Sequence, residues 1–213
     1  DPLMRAALRV VGWFQQPAPS IPLALLLMAV AVLAQFVLAV ILLIYDAING
    51  VAVGPEVLAH PLALAVMNGG SMLAVLLAAL PFARRQIVQA MAFGRLRLIS
   101  FAPALVAVVG LQIVVSDLTN IILWLVPPSE AFVEFIEGVS GSDHSFAAQF
   151  LALVIVAGIG EELIFRGLFL HGFLARYRAW VAIVVSTLMF GLLHMNLWQL
   201  PATIGMGLLF GWW

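Results

Sequence analysis

The run Gly158-Ile159-Gly160-Glu161-Glu162-Leu163-Ile164-Phe165-Arg166-Gly167 places two carboxylates and a guanidinium inside an otherwise apolar stretch. An ionised side chain at the centre of a bilayer costs about 2.5–3.5 kcal/mol on insertion scales, so such groups face a protein interior or a wet cavity. Glu162 and Arg166 stand four apart with the acid first, the favourable order for an ion pair along a helix. That pairing neutralises Glu162. Glu161 lies about 100° around the helix from Glu162 and is served less well by the same arginine, which leaves it as the carboxylate free for chemistry. The bland alternative is a buried ion network that only locks helices together.

A second apolar segment brings His194, four residues after Phe190 and on the same helical face. Phe190 itself reads as packing. If the hairpin between the two segments turns near Arg176 to Arg178, Glu161 and His194 are each about 16 residues from the turn, or about 24 Å along their helices. They then meet at one level inside the membrane. A glutamate facing a histidine can polarise a water molecule, the glutamate taking its proton and the histidine orienting it or holding a metal. His194, with Glu161 beside it, is the place for a divalent metal such as zinc. One histidine makes a poor zinc site, which ordinarily takes three protein ligands, so a further helix would have to supply the others.

Glu161-Glu162-x-x-x-Arg166 followed by Phe190-x-x-x-His194, both in apolar segments and in this order, resembles the CPBP family of intramembrane proteases. That family includes the type II CAAX prenyl endopeptidases and bacterial relatives linked to bacteriocin maturation or self-immunity. The resemblance runs from about Ser145 to Trp213. It implies a membrane-embedded peptidase in which Glu161 and His194 activate the water while Glu162 and Arg166 support the site. The family pattern also has a later His-x-x-x-Asn or Asp motif on a further helix, and this sequence stops before it. The expected function is hydrolysis of a peptide bond in a membrane-associated substrate. The rival from another class is a non-enzymatic membrane subunit or immunity-type binding protein on the same fold. A small transporter, using the charges as an ion relay, ranks last because inverted repeats are not apparent.

The elements that must position these residues are membrane helices. Of 213 residues, 65% are hydrophobic and 9% charged, with mean hydropathy +1.18, and stretches of about 20 apolar residues recur along the chain. The predicted fold is all-α, a polytopic transmembrane bundle of about six helices. Residues 1–20 form an amphipathic lead-in with Arg5 and Arg9. Residues 21–127 hold three spans, at Ile21 to Ile44, Pro61 to Phe82 and Phe101 to Val126, with an arginine-bearing interfacial segment at 83–100. Pro127 and Pro128 end the third span, and an acidic loop with Glu130, Glu134, Glu137 and Asp143 follows. Residues 145–213 form the protease-like core: a helix from Ser145, with Asp143 or Ser145 as its cap, to Ala175, another from Trp180 to His194, and a sixth after Pro201. The chain opens without methionine and stops in an apolar run at Trp213, so it is expected to continue.

Arg5, Arg9, the four arginines of 83–100, Arg176 and Arg178 all fall on one side of this topology, while the opposite loops hold no basic residue. Short cytoplasmic loops are enriched in Lys and Arg, which places the N-terminus in the cytoplasm of a plasma or inner membrane. A net charge of −1 without a basic tail excludes nucleic acid as a partner. The partners expected are lipids, a peptide or protein substrate, and a membrane-complex partner. No cysteine, His-Glu-x-x-His or Gly-x-Ser-x-Gly occurs, so other intramembrane protease chemistries find no support.

The remaining polar residues read as structural. His171 falls about 80° off the face of Glu161, and His60 and His144 lie in solvated outer loops. Asp117 and Asn120 are expected to hydrogen-bond between helices. Gly158, Gly160, Gly205, Gly207 and Gly211 are expected to allow close helix approach. Asn196, Trp198 and Gln199 sit where an interfacial aromatic belt belongs.

Overall fold

The computed structural model describes residues 19–50, 55–91, 101–141 and 144–212, and among them all regular structure is helical. Most of the lead-in at 1–20, the arginines at 95 and 97, Asp143 and Trp213 lie outside the described residues. We number the helices α1 Ile21–Ile48, α2 Pro55–Ala59, α3 Pro61–Met91, α4 Phe101–Leu125, α5 Glu130–Ser140, α6 Phe146–Leu174, α7 Ala179–Leu193 and α8 Leu200–Trp212. Four of them (α1, α3 over 61–83, α4 and α6) are long and apolar enough to cross a membrane. The six expected segments are thus all present as helices, and α7, with 15 residues, is shorter than a full span. The chain is an integral membrane protein, and its outward faces carry exposed Leu25, Phe36, Leu77, Val106 and Leu151, apolar surface that lipid covers.

Three local features depart from the sequence reading. The second span ends at Ala83, as expected, but the helix does not stop there. Pro81 kinks α3, leaving Ala83 at φ −131°, ψ 20°, and the helix resumes through Met91, so part of the segment 83–100 is helical. The acidic loop is largely helix α5. Ser129 accepts the backbone N–H of Phe132 as its cap, and Phe132, Phe135, Ile136 and Val139 recur at helical spacing while Glu130, Glu134 and Glu137 stay exposed. The sixth helix starts at Leu200, with Pro201 in its first turn, where proline's missing N–H costs nothing.

The packing departs from chain order at α4: α1 lies along α3, α3 along α6, α6 along α7, and α7 along α8, which also meets α4. The core is an aromatic ladder on α6. Phe165, Leu168, Phe169 and Phe173 are buried against Ala24, Leu27 and Ala31 of α1, Val75, Ala79 and Ala83 of α3, and Ala182, Met189 and Phe190 of α7. Small alanines opposite large rings bring backbones close, which matters because lipid tails remove most of the hydrophobic drive between helices and leave van der Waals packing to hold them. At Gly207 a Cβ would come within 2.7 Å of Thr187 Cγ2, so the α7–α8 contact depends on this glycine.

Candidate active site

The stretch of α6 that carries the charges is wound loosely. The helix opens from α to π geometry over Phe150–Val156 and again over Glu162–Leu170. Such widened turns are rare and recur near functional sites. Ser186 of α7 donates to the Phe165 carbonyl at 3.1 Å, a bond between helices that fixes this stretch against its neighbour. After the turn at 175–178, α7 runs back along α6 to His194.

This hairpin brings Glu161 and His194 together. Glu161 Oε1 lies 3.8 Å from His194 Nε2, and the two side chains are 25% and 23% exposed. That separation is too long for a direct hydrogen bond and leaves the pair to converge on a shared third group. The orientation of the imidazole follows from its other nitrogen: Nδ1 donates to the Phe190 carbonyl at 2.9 Å, so in the neutral ring Nε2 holds the lone pair and faces the carboxylate. Two acceptors aimed at each other ask for a proton-bearing molecule between them. They face a cavity of about 570 Å³, whose polar lining also includes Gln35, Asn68, Ser71 and Asn196. Phe135, Ile136 and Val139 of α5 close one side of it, so the segment read as a loop is part of its wall.

Glu162 and Arg166 face elsewhere. Arg166 Nη1 lies 3.1 Å from Glu162 Oε1, and both line a groove of about 550 Å³ with His171, while the guanidinium also reaches the Phe190 ring of α7. The steps from 162 to 166 to 171 are four and five residues, the neighbours of a helix that widens towards i→i+5 bonding. Gly158 lines both the cavity and the groove, and a Cβ there would meet nothing within 4 Å; it leaves space rather than allowing close packing. Gly160 does pack closely, since a Cβ there would overlap the sulfur of Met72.

Phe190 ties the two sides together. Its ring lies 4.7 Å from the Arg166 guanidinium, 5.0 Å from the Phe165 ring and 4.8 Å from the imidazole of His194, while its carbonyl orients that imidazole. The only signal in the sequence was an aromatic residue one turn before a histidine.

The turn beyond His194 is strained and anchored. Met195 has φ +47°, the left-handed conformation in which glycine usually ends a helix. Trp198 then donates through Nε1 to the Val126 carbonyl at 2.8 Å and stacks on Phe132 at 4.3 Å, which docks the turn onto the end of α4. The belt reading of Trp198 missed this tie.

Other candidates separate. Asp117 and Asn120 are exposed on α4, hydrogen-bond to none of the described residues and do not line the cavity, because α4 touches the bundle chiefly through α8 and the 3₁₀ turn Leu197–Gln199. His60 and His144 are not simply solvated: their rings meet edge to face at 4.7 Å, and His144 Nε2 donates to the Gly138 carbonyl. As ligands for a zinc ion, Glu161 and His194 make two. Among the described residues no three His, Cys, Asp or Glu side chains cluster, so these residues do not fit a complete zinc site.

Residues 143–213 match the family model described as type II CAAX prenyl endopeptidase Rce1-like. The matched third of the chain contains α6, α7 and α8, and with them Glu161, Glu162, Arg166, Phe190 and His194. No curated protein and no solved structure matches the chain.

Proposed function

We propose that the chain is an intramembrane endopeptidase in which Glu161 and His194 activate a water molecule for attack on a peptide bond of a membrane-associated substrate. The observation that carries this reading is the facing pair itself, Glu161 Oε1 and His194 Nε2 at 3.8 Å on the wall of one cavity. The match of residues 143–213 to an endopeptidase family supports it.

The steps use Glu161, His194 and the water. His194 Nε2 accepts one hydrogen of the water and aims its oxygen; Glu161 takes the other proton as the oxygen attacks the carbonyl carbon. The tetrahedral intermediate then collapses, the C–N bond breaks, and the protonated Glu161 returns its proton to the leaving amine. Phe190 holds the imidazole through its carbonyl. Glu162 and Arg166, paired along α6 with the guanidinium against Phe190, keep that helix turned so that Glu161 faces inward. No step is assigned to a metal, since the described residues provide two ligands.

The first substrate to try is a prenylated peptide ending in the CAAX pattern of the matched family's description. The arginine distribution puts the N-terminus in the cytoplasm, and we assign the chain to the plasma or inner membrane on the same basis. The test is cleavage of that peptide by protein reconstituted in vesicles. Glu161→Gln is expected to lower the rate by about 10²–10⁴-fold, the contribution of a general base. Retention of the native rate would end the mechanism, and binding without cleavage would favour the non-enzymatic reading.

A further inference from the structure

The cavity has a second polar feature, opposite in origin to the glutamate and histidine because it comes from α1 and α3, outside the residues that match the family model. Gln35 Nε2 donates to Asn68 Oδ1 at 3.2 Å, and Ser71 Oγ donates to the Asn68 carbonyl at 2.9 Å. This use of the amides leaves Gln35 Oε1 as an acceptor and Asn68 Nδ2 as a donor, and no other described residue bonds to either. Both side chains line the cavity among Leu27, Ala31, Leu64 and Val75. Water in the cavity satisfies an open donor and acceptor, and a peptide backbone, which presents a carbonyl and an N–H side by side, replaces it at both.

Their height along the cavity can be read from the packing. A Cβ on Gly69 would meet Val156 Cγ1 at 3.2 Å, and one on Gly160 would overlap Met72, so α3 and α6 run side by side with Met72 level with Gly160. Asn68 is four residues before Met72, about 6 Å along the helix, and Glu161 lies one residue beyond Gly160, so the two levels differ by about 7–8 Å. An extended chain advances about 3.3 Å per residue, so that distance spans about two residues of a bound peptide.

We propose that Gln35 and Asn68 form a backbone clamp, in which Asn68 Nδ2 donates to a substrate carbonyl and Gln35 Oε1 accepts the adjoining N–H, about two residues from the bond that Glu161 attacks. The clamp rests on the peptidase reading for its meaning, but peptide binding tests it separately. It selects an extended peptide without reading side chains, and it assigns a substrate-positioning function to helices that the family model does not cover.

The experiment uses the full chain carrying Glu161→Gln in vesicles and a labelled prenylated CAAX-type peptide whose backbone nitrogens are methylated one at a time. Methylation at one particular bond should weaken binding by about five- to tenfold, the value of one hydrogen bond. Adding Gln35→Met should erase that particular cost while other positions respond as before. Asn68→Leu should likewise erase the cost of replacing the neighbouring amide by an ester, so the proposal does not depend on one variant folding. Two amides serving only as glue between α1 and α3 would instead weaken all peptides alike, and that result, or no peptide binding at all, overturns the clamp. Position-specific coupling without cleavage by the native chain would leave the clamp standing and remove the hydrolysis.

Discussion

Phe190 shows how one side chain can matter through its neighbours. Its carbonyl sets the tautomer of His194, its ring supports the guanidinium of Arg166, and its edge packs on Phe165. Phe190→Leu keeps the backbone carbonyl and most of the volume but removes the aromatic face. A desolvated cation–π contact is worth about 2 kcal/mol. The variant should therefore unfold at lower denaturant concentration in micelles by about that amount and cleave more slowly; an unchanged unfolding midpoint would show that Arg166 does not rely on the ring. At this scale the sequence was informative where charge met hydrocarbon. Glu161, Glu162, Arg166 and His194 stood out because ionisable groups are expensive in a span, whereas Phe190 was marked only by its place one turn before His194 and its contacts emerge only from its distances.

At the scale of elements, the helices could be read from long apolar runs, and their exceptions have identifiable causes. Helix α5 was obscured by Pro127, Pro128 and its glutamates, although Ser129 and the spacing of Phe132, Phe135, Ile136 and Val139 were a cap and a face in plain order. The π winding of α6 leaves no mark in the sequence, since it depends on neighbours such as Ser186 that bond to its backbone. The contact of α7 with α8 should be sensitive at one position: Gly207→Ala forces a methyl against the β-branched Thr187 and should cost about 1–3 kcal/mol in a micelle unfolding assay. Gly158→Ala, with open space around its Cα, should leave the unfolding midpoint near native. The turn after α7 makes a paired prediction. An L-residue in the left-handed region bears about 1–2 kcal/mol of strain, so Met195→Val, with its branched Cβ, should lower the thermal midpoint in detergent, whereas Met195→Gly, which relieves that strain, should not.

For the whole molecule, the family match and the cavity have different extents. The matched residues supply the glutamate and the histidine, but α1, α3 and α5 supply much of the wall, including Gln35, Asn68 and Phe135. The register of α1 and α3 against α6 could not be read from the sequence, because lipid-facing and bundle-facing sides of an apolar helix differ little in residue type; alanine against aromatic ring decides it. Orientation can be tested with single cysteines, since the chain has none of its own. Asp46→Cys in intact cells should react with a membrane-impermeant thiol reagent, and Arg178→Cys should react only after the cytoplasmic face is opened; the reverse pattern would invert the topology.

The same cysteine-free background tests whether the carboxylate of α6 and the imidazole of α7 share a hydrated cavity inside the membrane. In reconstituted protein, E161C and H194C should each react with a small charged methanethiosulfonate reagent, while L168C, at a fully buried position of the same helix, stays protected. Protection of E161C to the same degree as L168C would contradict the account, because a dry glutamate position cannot deliver water to a peptide bond.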